Sequence, residues 1–185
     1  MAAVNMERTL LIAGTGNTGR HVLSALVAEG APVRVLSRTP NAFHLPASVE
    51  LVDGDLREPE TLSGCLENVN AVYLVWTAPP ETVEPVIQKL SRSVQRIVFL
   101  SAPLKTPHPF FQQLNPGRDM AERIERAIES SGMEWTLLRP GLFAGNAKHF
   151  WGPQIRRGDR VRWPYLNAAT APIDERDHRE SFATA

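Results

Sequence analysis

The 185 residues contain one cysteine, Cys65, so no disulfide can form within the chain. That excludes a disulfide-stapled scaffold and fits a reducing compartment. Charge of one sign is missing too: 20 Lys and Arg stand against 20 Asp and Glu, for a formal net charge of zero. The whole chain therefore has no electrostatic footprint for nucleic acid or for an anionic membrane surface. No apolar run approaches the roughly 18 residues of a membrane-spanning helix, and Met1 to Arg8 is too short and polar for a secretory leader. A cytoplasmic protein without nucleic-acid or membrane partners is expected. Histidine is thinly spread: His21, His44, His108, His149 and His178 show no metal-ligand spacing, so no metal is expected. Tyrosine is scarcer still, with only Tyr73 and Tyr165.

What is present is ordinary for a globular domain. Hydrophobic residues make up 43% and charged residues 22%, which is enough apolar material for a core and too little charge for disorder. The most informative stretch runs from Thr9 to Val22. An apolar run reads as a buried strand up to Ala13, and helical apolar spacing resumes at Val22, Leu23, Leu26 and Val27. Between them Gly14, Gly16 and Gly19 fall at the G-x-G-x-x-G spacing. In that motif the first glycine permits the tight turn, the second lets backbone approach a pyrophosphate, and the third lets the helix pack on the strand. The helix N-terminus adds unpaired N–H groups and a positive dipole end. Dinucleotide binding is the reading, with Thr15, Asn17 and Thr18 as polar members of the turn.

Strand and helix patterns then alternate. Strands are expected at 32–37, 49–53, 71–76, 96–101 and 135–139, with helices near 59–66, 83–91 and 118–130. Gly132 is placed to stop the last of these. Near-continuous apolar strands fit a sheet buried on both faces. The expected fold is α/β, a Rossmann-type doubly wound parallel sheet in the order 3-2-1-4-5-6. The chain reads as a single domain, 1–185, with a Rossmann core at about 8–141 and a small, irregular, shortened substrate-side lobe at about 142–185. Gly145, Gly152, Pro153, Gly158 and Pro164 break up that lobe, while Trp151, Trp163 and Tyr165 are spread through it. The proline-rich stretch 101–116 reads as one long loop.

An NAD-type site places an acid about 20 residues beyond the glycines, to accept from the ribose 2′-OH. Here the second strand ends at Ser37-Arg38, without a carboxylate. Arg38 is either a charge-assisted fork for a 2′-phosphate or a solvated surface arginine; the first reading favours NADP(H) over NAD(H). Asp55, in Gly54-Asp55-Leu56, either accepts from an adenine amino group or simply forms a turn. Cys65 reads as packing, His108 as a loop residue, and Arg156, Arg157, Arg160 and Arg162 as solvated surface around Asp159. Phe110, Phe111, Phe143, Phe150 and Trp151 either line an apolar pocket or pack on the sheet.

Together the glycine turn, Arg38, Gly54-Asp55-Leu56, Phe99-Leu100-Ser101 and the run Trp135 to Gly141 resemble the NmrA-like atypical short-chain dehydrogenase/reductases. Asn146 and the run Pro172 to Asp177 also look like that family, so the resemblance extends from Arg8 to about Asp177. It implies that Arg38 contacts the adenosine phosphate and that Trp76, Thr77 and Ala78 line the ribose side. Ser101 and Pro140, Gly141, Leu142 and Phe143 would lie near the nicotinamide. The wider superfamily uses a Tyr-x-x-x-Lys pair, in which lysine lowers the tyrosine pKa. Aligned on Ser131-Gly132 and Trp135-Thr136, that pair falls on Gly117 and Ala121, which carry no proton. The resemblance therefore leaves two leading roles, with an isomerase or tailoring enzyme that uses the pocket alone as a third. One is a reductase of a quinone-like or other small conjugated acceptor, a task needing less acid catalysis from the protein. The other is a non-catalytic NADP(H)-binding redox sensor acting through a protein partner. The polar end, His178 to Phe182, departs from the apolar helix expected after the Pro-Ile-Asp motif. Either the chain is truncated there, or its substrate lobe is minimal and completed by a second copy or another protein.

Overall fold

The computed structural model describes residues 8–39, 45–105, 114–158, 160–162 and 171–177. His44, His108, Phe110, Phe111, Asp159, Trp163, Pro164, Tyr165 and 178–185 lie outside the described residues, as does part of the 101–116 stretch.

Six strands build one parallel sheet: β1 (Arg8–Ile12), β2 (Val33–Ser37), β3 (Val49–Asp53), β4 (Val69–Val75), β5 (Arg96–Leu100) and β6 (Glu134–Leu138). Their order is β3-β2-β1-β4-β5-β6, the expected one. The helices are α1 (Gly19–Ala28), α2 (Leu62–Cys65), α3 (Val83–Ser91), α4 (Pro116–Glu129), α5 (Asn146–Phe150) and α6 (Gly152–Arg157). Side chains alternate across the pleat, and the register sorts them into two cores. Leu11, Tyr73 and Val98 stand side by side and meet Val22, Leu23 and Leu26 of α1. Leu10, Val72 and Ile97 face the other way, toward Leu90 of α3 and Ile124 and Ile128 of α4. In α3 the buried residues are Val83, Val86, Ile87 and Leu90, spaced for one face of a helix. Each such side chain contributes about 2 kcal/mol on burial. The stripe of α4 contains an anomaly: with Ala121, Ile124 and Ile128 it buries Glu125.

Three local differences from the sequence expectation have physical causes. The helix at 59–66 opens as a 3-10 turn over Pro59–Thr61 before α2. Helix α4 starts at Pro116 because Asn115 caps it, its Oδ1 accepting from the N–H groups of Gly117 and Arg118 at 3.0 and 3.2 Å. The segment after 142 is not irregular throughout. Gly152 and Pro153 open α6 rather than breaking a pattern, since proline at a first turn loses no hydrogen bond. Segment 171–177 returns to this region through a parallel bridge between Phe143 and Ile173. Ile173 donates to Leu142 at 2.9 Å, and Ala144 donates back to Ile173 at 2.8 Å. The Gly145 N–H donates to the Glu175 carboxylate at 3.0 Å.

Candidate functional site at the carboxyl ends of the strands

The turn after β1 departs from its motif reading at one point. Its left-handed residue is Ala13, at φ 65°, and not Gly14. Gly14 is needed for space instead: a Cβ there would stand 3.0 Å from Leu11 Cβ and 3.3 Å from the Val35 methyls. The Gly16 N–H closes the turn on the Ala13 carbonyl at 2.9 Å, and Arg20 donates to Gly16 at 3.1 Å as the helix begins. A Cβ on Gly19 would strike the Ala13 carbonyl oxygen and lie 2.7 Å from Gly14 Cα. Both obstacles are backbone, so only glycine lets α1 start this close to the strand. Gly16 and Asn17 are exposed at the mouth of the turn. Thr18 is buried, as is Tyr73, whose hydroxyl pKa burial pushes up.

Beside this turn lies a cavity of about 220 Å³ that brings together Thr15, Gly16, Arg38, Asp55, Leu56 and Thr77. Gly54 also lines it, and a Cβ there would come within 2.5 Å of Leu36 Cδ1. Arg38 is exposed just past β2, and among the described residues its guanidinium has no hydrogen bond or ion pair. Asp55 is fully engaged. Its Oδ1 accepts the Arg57 backbone N–H at 2.9 Å, and its Oδ2 accepts the Arg57 guanidinium at 2.8 and 2.5 Å. Those bonds hold the carboxyl below the usual carboxylate range against partial burial, and the Arg38 charge adds to the effect. Leu56 is buried, at 3% exposure, so its side chain belongs to the core.

The other expected site residues lie outside that cavity. Trp76 donates its indole N–H to the Ala78 carbonyl at 2.6 Å, and both residues pack against the core. Ser101 stands where β5 ends and is tied to β6 through the Leu138 carbonyl at 2.8 Å. Its hydroxyl donates to Glu125 Oε1 at 2.5 Å, and the same carboxylate accepts two hydrogen bonds from Arg139, at 2.8 and 2.6 Å. Pro140 to Phe143 leads from Arg139 to the bridge with Ile173. Glu125 is the residue that motif reading missed; its signal was an acid on the apolar stripe of an amphipathic helix.

Gly117 and Ala121 lie one turn apart at the start of α4, Ala121 buried. Cys65 is buried with its thiol directed to the Asp53 carbonyl at 3.2 Å. Arg156, Arg157, Arg160 and Arg162 are exposed, and no metal-holding cluster occurs among the described residues. None of the helices described is long and apolar enough to cross a membrane.

A parallel sheet in this order, with a glycine turn and cavity at the carboxyl ends of its strands, defines a Rossmann-type dinucleotide-binding unit. The sequence model of the NAD(P)H-binding family matches residues 13–158, and the chain belongs to that family. It is 32% identical over 171 residues to the (4-alkanoyl-5-oxo-2,5-dihydrofuran-3-yl)methyl phosphate reductase of Streptomyces griseus, covering 91% of this chain and 59% of that protein. It is 29% identical over 174 residues to the NAD(P)H azoreductase of Xenophilus azovorans, with coverage of 91% and 59%. The chain thus spans about three-fifths of the length of these relatives. Among solved structures, the Citrobacter sp. triphenylmethane reductase complexed with NADP(H) superposes with a TM-score of 0.78 at 16% identity, covering 96% of this chain and 64% of that one. Bordetella bronchiseptica WbmH in complex with NAD+ gives 0.77 at 14% identity, with 97% and 72% covered. Likeness at that identity establishes the fold.

Proposed function

We propose that the chain is an NmrA-like, NADP(H)-binding oxidoreductase that reduces a quinone-like or other small conjugated acceptor. The observation that carries the cofactor choice is Arg38: an exposed guanidinium, unpaired among the described residues, at the rim of the cavity beside the glycine turn. Such a group suits a 2′-phosphate, and no acid ends β2 to prefer a free 2′-OH. The turn also suits a pyrophosphate, because Gly16 is exposed at its mouth and Gly19 lets the start of α1 sit against the turn.

In this reading Gly14, Thr15, Gly16, Asn17, Thr18 and Gly19 form the phosphate cradle. Asp55 and Leu56 border the adenine, with Leu56 contributing backbone, and Trp76, Thr77 and Ala78 shape the ribose side. Ser101 and Pro140 to Phe143 flank the nicotinamide, and the chain from about 142 onward forms the substrate side of a single cytoplasmic domain. When bound, the nicotinamide supplies the hydride; the protein's part is to hold it and exclude water. Proton delivery from a Tyr-Lys pair is not part of the scheme, because Gly117 and Ala121 carry no proton and Tyr73 is fully buried in β4. The azoreductase relative supports a small aromatic acceptor.

The test pairs binding with turnover. Calorimetry should show NADPH bound more tightly than NADH, with Arg38→Asp weakening NADPH selectively. Equal affinity in the unmodified protein would overturn the NADP(H) assignment. NADPH oxidation should then be seen with a panel of quinones and azo dyes. Tight NADPH binding without turnover on any acceptor would favour the redox-sensor reading instead, a reading also consistent with Gly117 and Ala121 at the positions of the Tyr-Lys pair.

A further inference from the structure

Asp55 and Arg57 sit two residues apart just past the end of β3, with Asp55 on the wall of the cavity that holds Arg38. Arg38, Asp55 and Arg57 together also line an adjoining depression of about 240 Å³, with Asp53 and Glu58 on its wall. Three acids therefore face two guanidiniums, and only one acid is covered on both oxygens. The Arg57 backbone N–H takes Oδ1 of Asp55, and its side-chain fork takes Oδ2. The turn carrying the pair is itself tied down, since the Asp55 N–H donates to Thr61 Oγ1 at 3.0 Å. A bare carboxylate at this place would act twice against a phosphorylated ribose. It would repel the phosphate drawn to Arg38, and it would offer an acceptor to an unphosphorylated 2′-OH.

We propose that Arg57 is a specificity-determining residue, which selects NADP(H) over NAD(H) by masking the Asp55 carboxylate beside Arg38. This rests on the NADP(H) reading above and adds to it a residue that need not touch the phosphate. Arg57 is half exposed, with 55% of its side-chain surface accessible, so its removal leaves the core untouched.

The experiment is a double-mutant cycle read by binding. Wild type, Arg57→Ala, Asp55→Asn and the double variant are each titrated with NADPH and NADH by tryptophan fluorescence at low ionic strength, where exposed charges are least screened. Arg57→Ala should lower the preference for NADPH about tenfold, the scale of one neighbouring charge in partial solvent. Adding Asp55→Asn to Arg57→Ala should return the preference to within about threefold of wild type, because the group being masked is gone. A preference unchanged by Arg57→Ala overturns the proposal. So does a preference still lowered in the double variant, since Arg57 would then act on the phosphate directly. If wild type itself shows no preference, the NADP(H) reading falls and takes this proposal with it. If wild type prefers NADPH and Arg57→Ala prefers it to the same extent, only the role of Arg57 falls.

Discussion

Ser101 at the end of β5 and Glu125 in the middle of α4 are joined by a 2.5 Å hydrogen bond, 24 residues apart in sequence. The bond exists because Glu125 is buried on the helix's apolar stripe, where a carboxylate must find partners. Arg139, just past β6, supplies the compensating charge through a two-pronged contact. One carboxylate thus ties together a helix, the end of β5 and the start of the Pro140–Phe143 segment. Removing the cation should hurt more than removing the acid. Arg139→Ala strands a buried charge and should cost about 3 kcal/mol. Glu125→Leu lets the half-exposed Arg139 turn to water and should cost only about 1–2 kcal/mol, mostly for the Ser101 hydroxyl. Urea denaturation of the two variants gives the order directly; a milder Arg139→Ala would refute the account.

The same carboxylate sets a pH dependence. Burial alone would push Glu125 up, but the hydrogen bonds from Arg139 and Ser101 and the Arg139 charge outweigh it, leaving the group below its ordinary 4.5. A carboxyl lowered in the folded state contributes stability that is fully present above the unfolded value and is lost as pH falls through the folded one. Unfolding free energy should therefore be level above about pH 5 and fall below about pH 4.5. In Arg139→Ala the sign reverses, because burial, the largest influence, then outweighs the Ser101 hydrogen bond that is left: stability should rise as pH falls toward 4. Denaturation midpoints between pH 3 and 7 for both proteins test this. Asp55, Glu60, Glu84 and Asp174 are also lowered by arginine or lysine partners, but each of those pairs has an exposed partner and is screened, so Glu125 dominates the slope.

How far the chain discloses itself depends on which contacts decide each feature. Strand β3 and helix α3 fall at Val49–Asp53 and Val83–Ser91, as their patterns predict, because a local apolar period determines both. The strand order was legible as well, since a glycine turn after the first strand and alternating elements leave few parallel arrangements. Glu125 was not legible as a site residue, because its partners come from the ends of two other elements. Asp55 stayed ambiguous for a related reason: the sequence does not say whether Arg57 folds back onto it. The helices at 146–157 were hidden by glycines and prolines, which read as breakers yet stand at the helix ends.

Cys65 should behave as an inert core thiol. It is 3% exposed, packs with the α2–α3 core, and directs its Sγ at the carbonyls of Asp53 and Thr61. Burial pushes its pKa up, with the nearby Arg34 charge only partly opposing. Little thiolate therefore forms at neutral pH, and reagents have no access to what does form. Ellman's reagent at pH 8 should label the native protein negligibly within minutes and one thiol per chain in guanidinium. Rapid labelling of native protein would show that the β3–α2 region opens easily.

The turn after β1 yields the sharpest test, because strain and steric need fall on different residues there. Ala13 holds φ 65°, a region that costs an L-residue roughly 1–2 kcal/mol and glycine nothing. Ala13→Gly removes that cost but adds chain entropy in the unfolded state, so the net gain should be about 0.5–1 kcal/mol. Gly19→Ala should do the reverse, since its Cβ meets two backbone neighbours that no rotamer change can move. The helix must back away from β1, at a cost of about 3 kcal/mol, the upper end for overpacking. Dinucleotide binding should weaken with it, because the start of α1 is displaced from the cradle. Gly64 on α2 provides the control: it has nothing within 4 Å, so alanine there is sterically free and should be neutral or slightly stabilising through helix propensity. Guanidinium unfolding of the three variants, with NADPH titration of each, separates the contributions. If Ala13→Gly destabilises or Gly19→Ala is neutral, the turn does not have the geometry described.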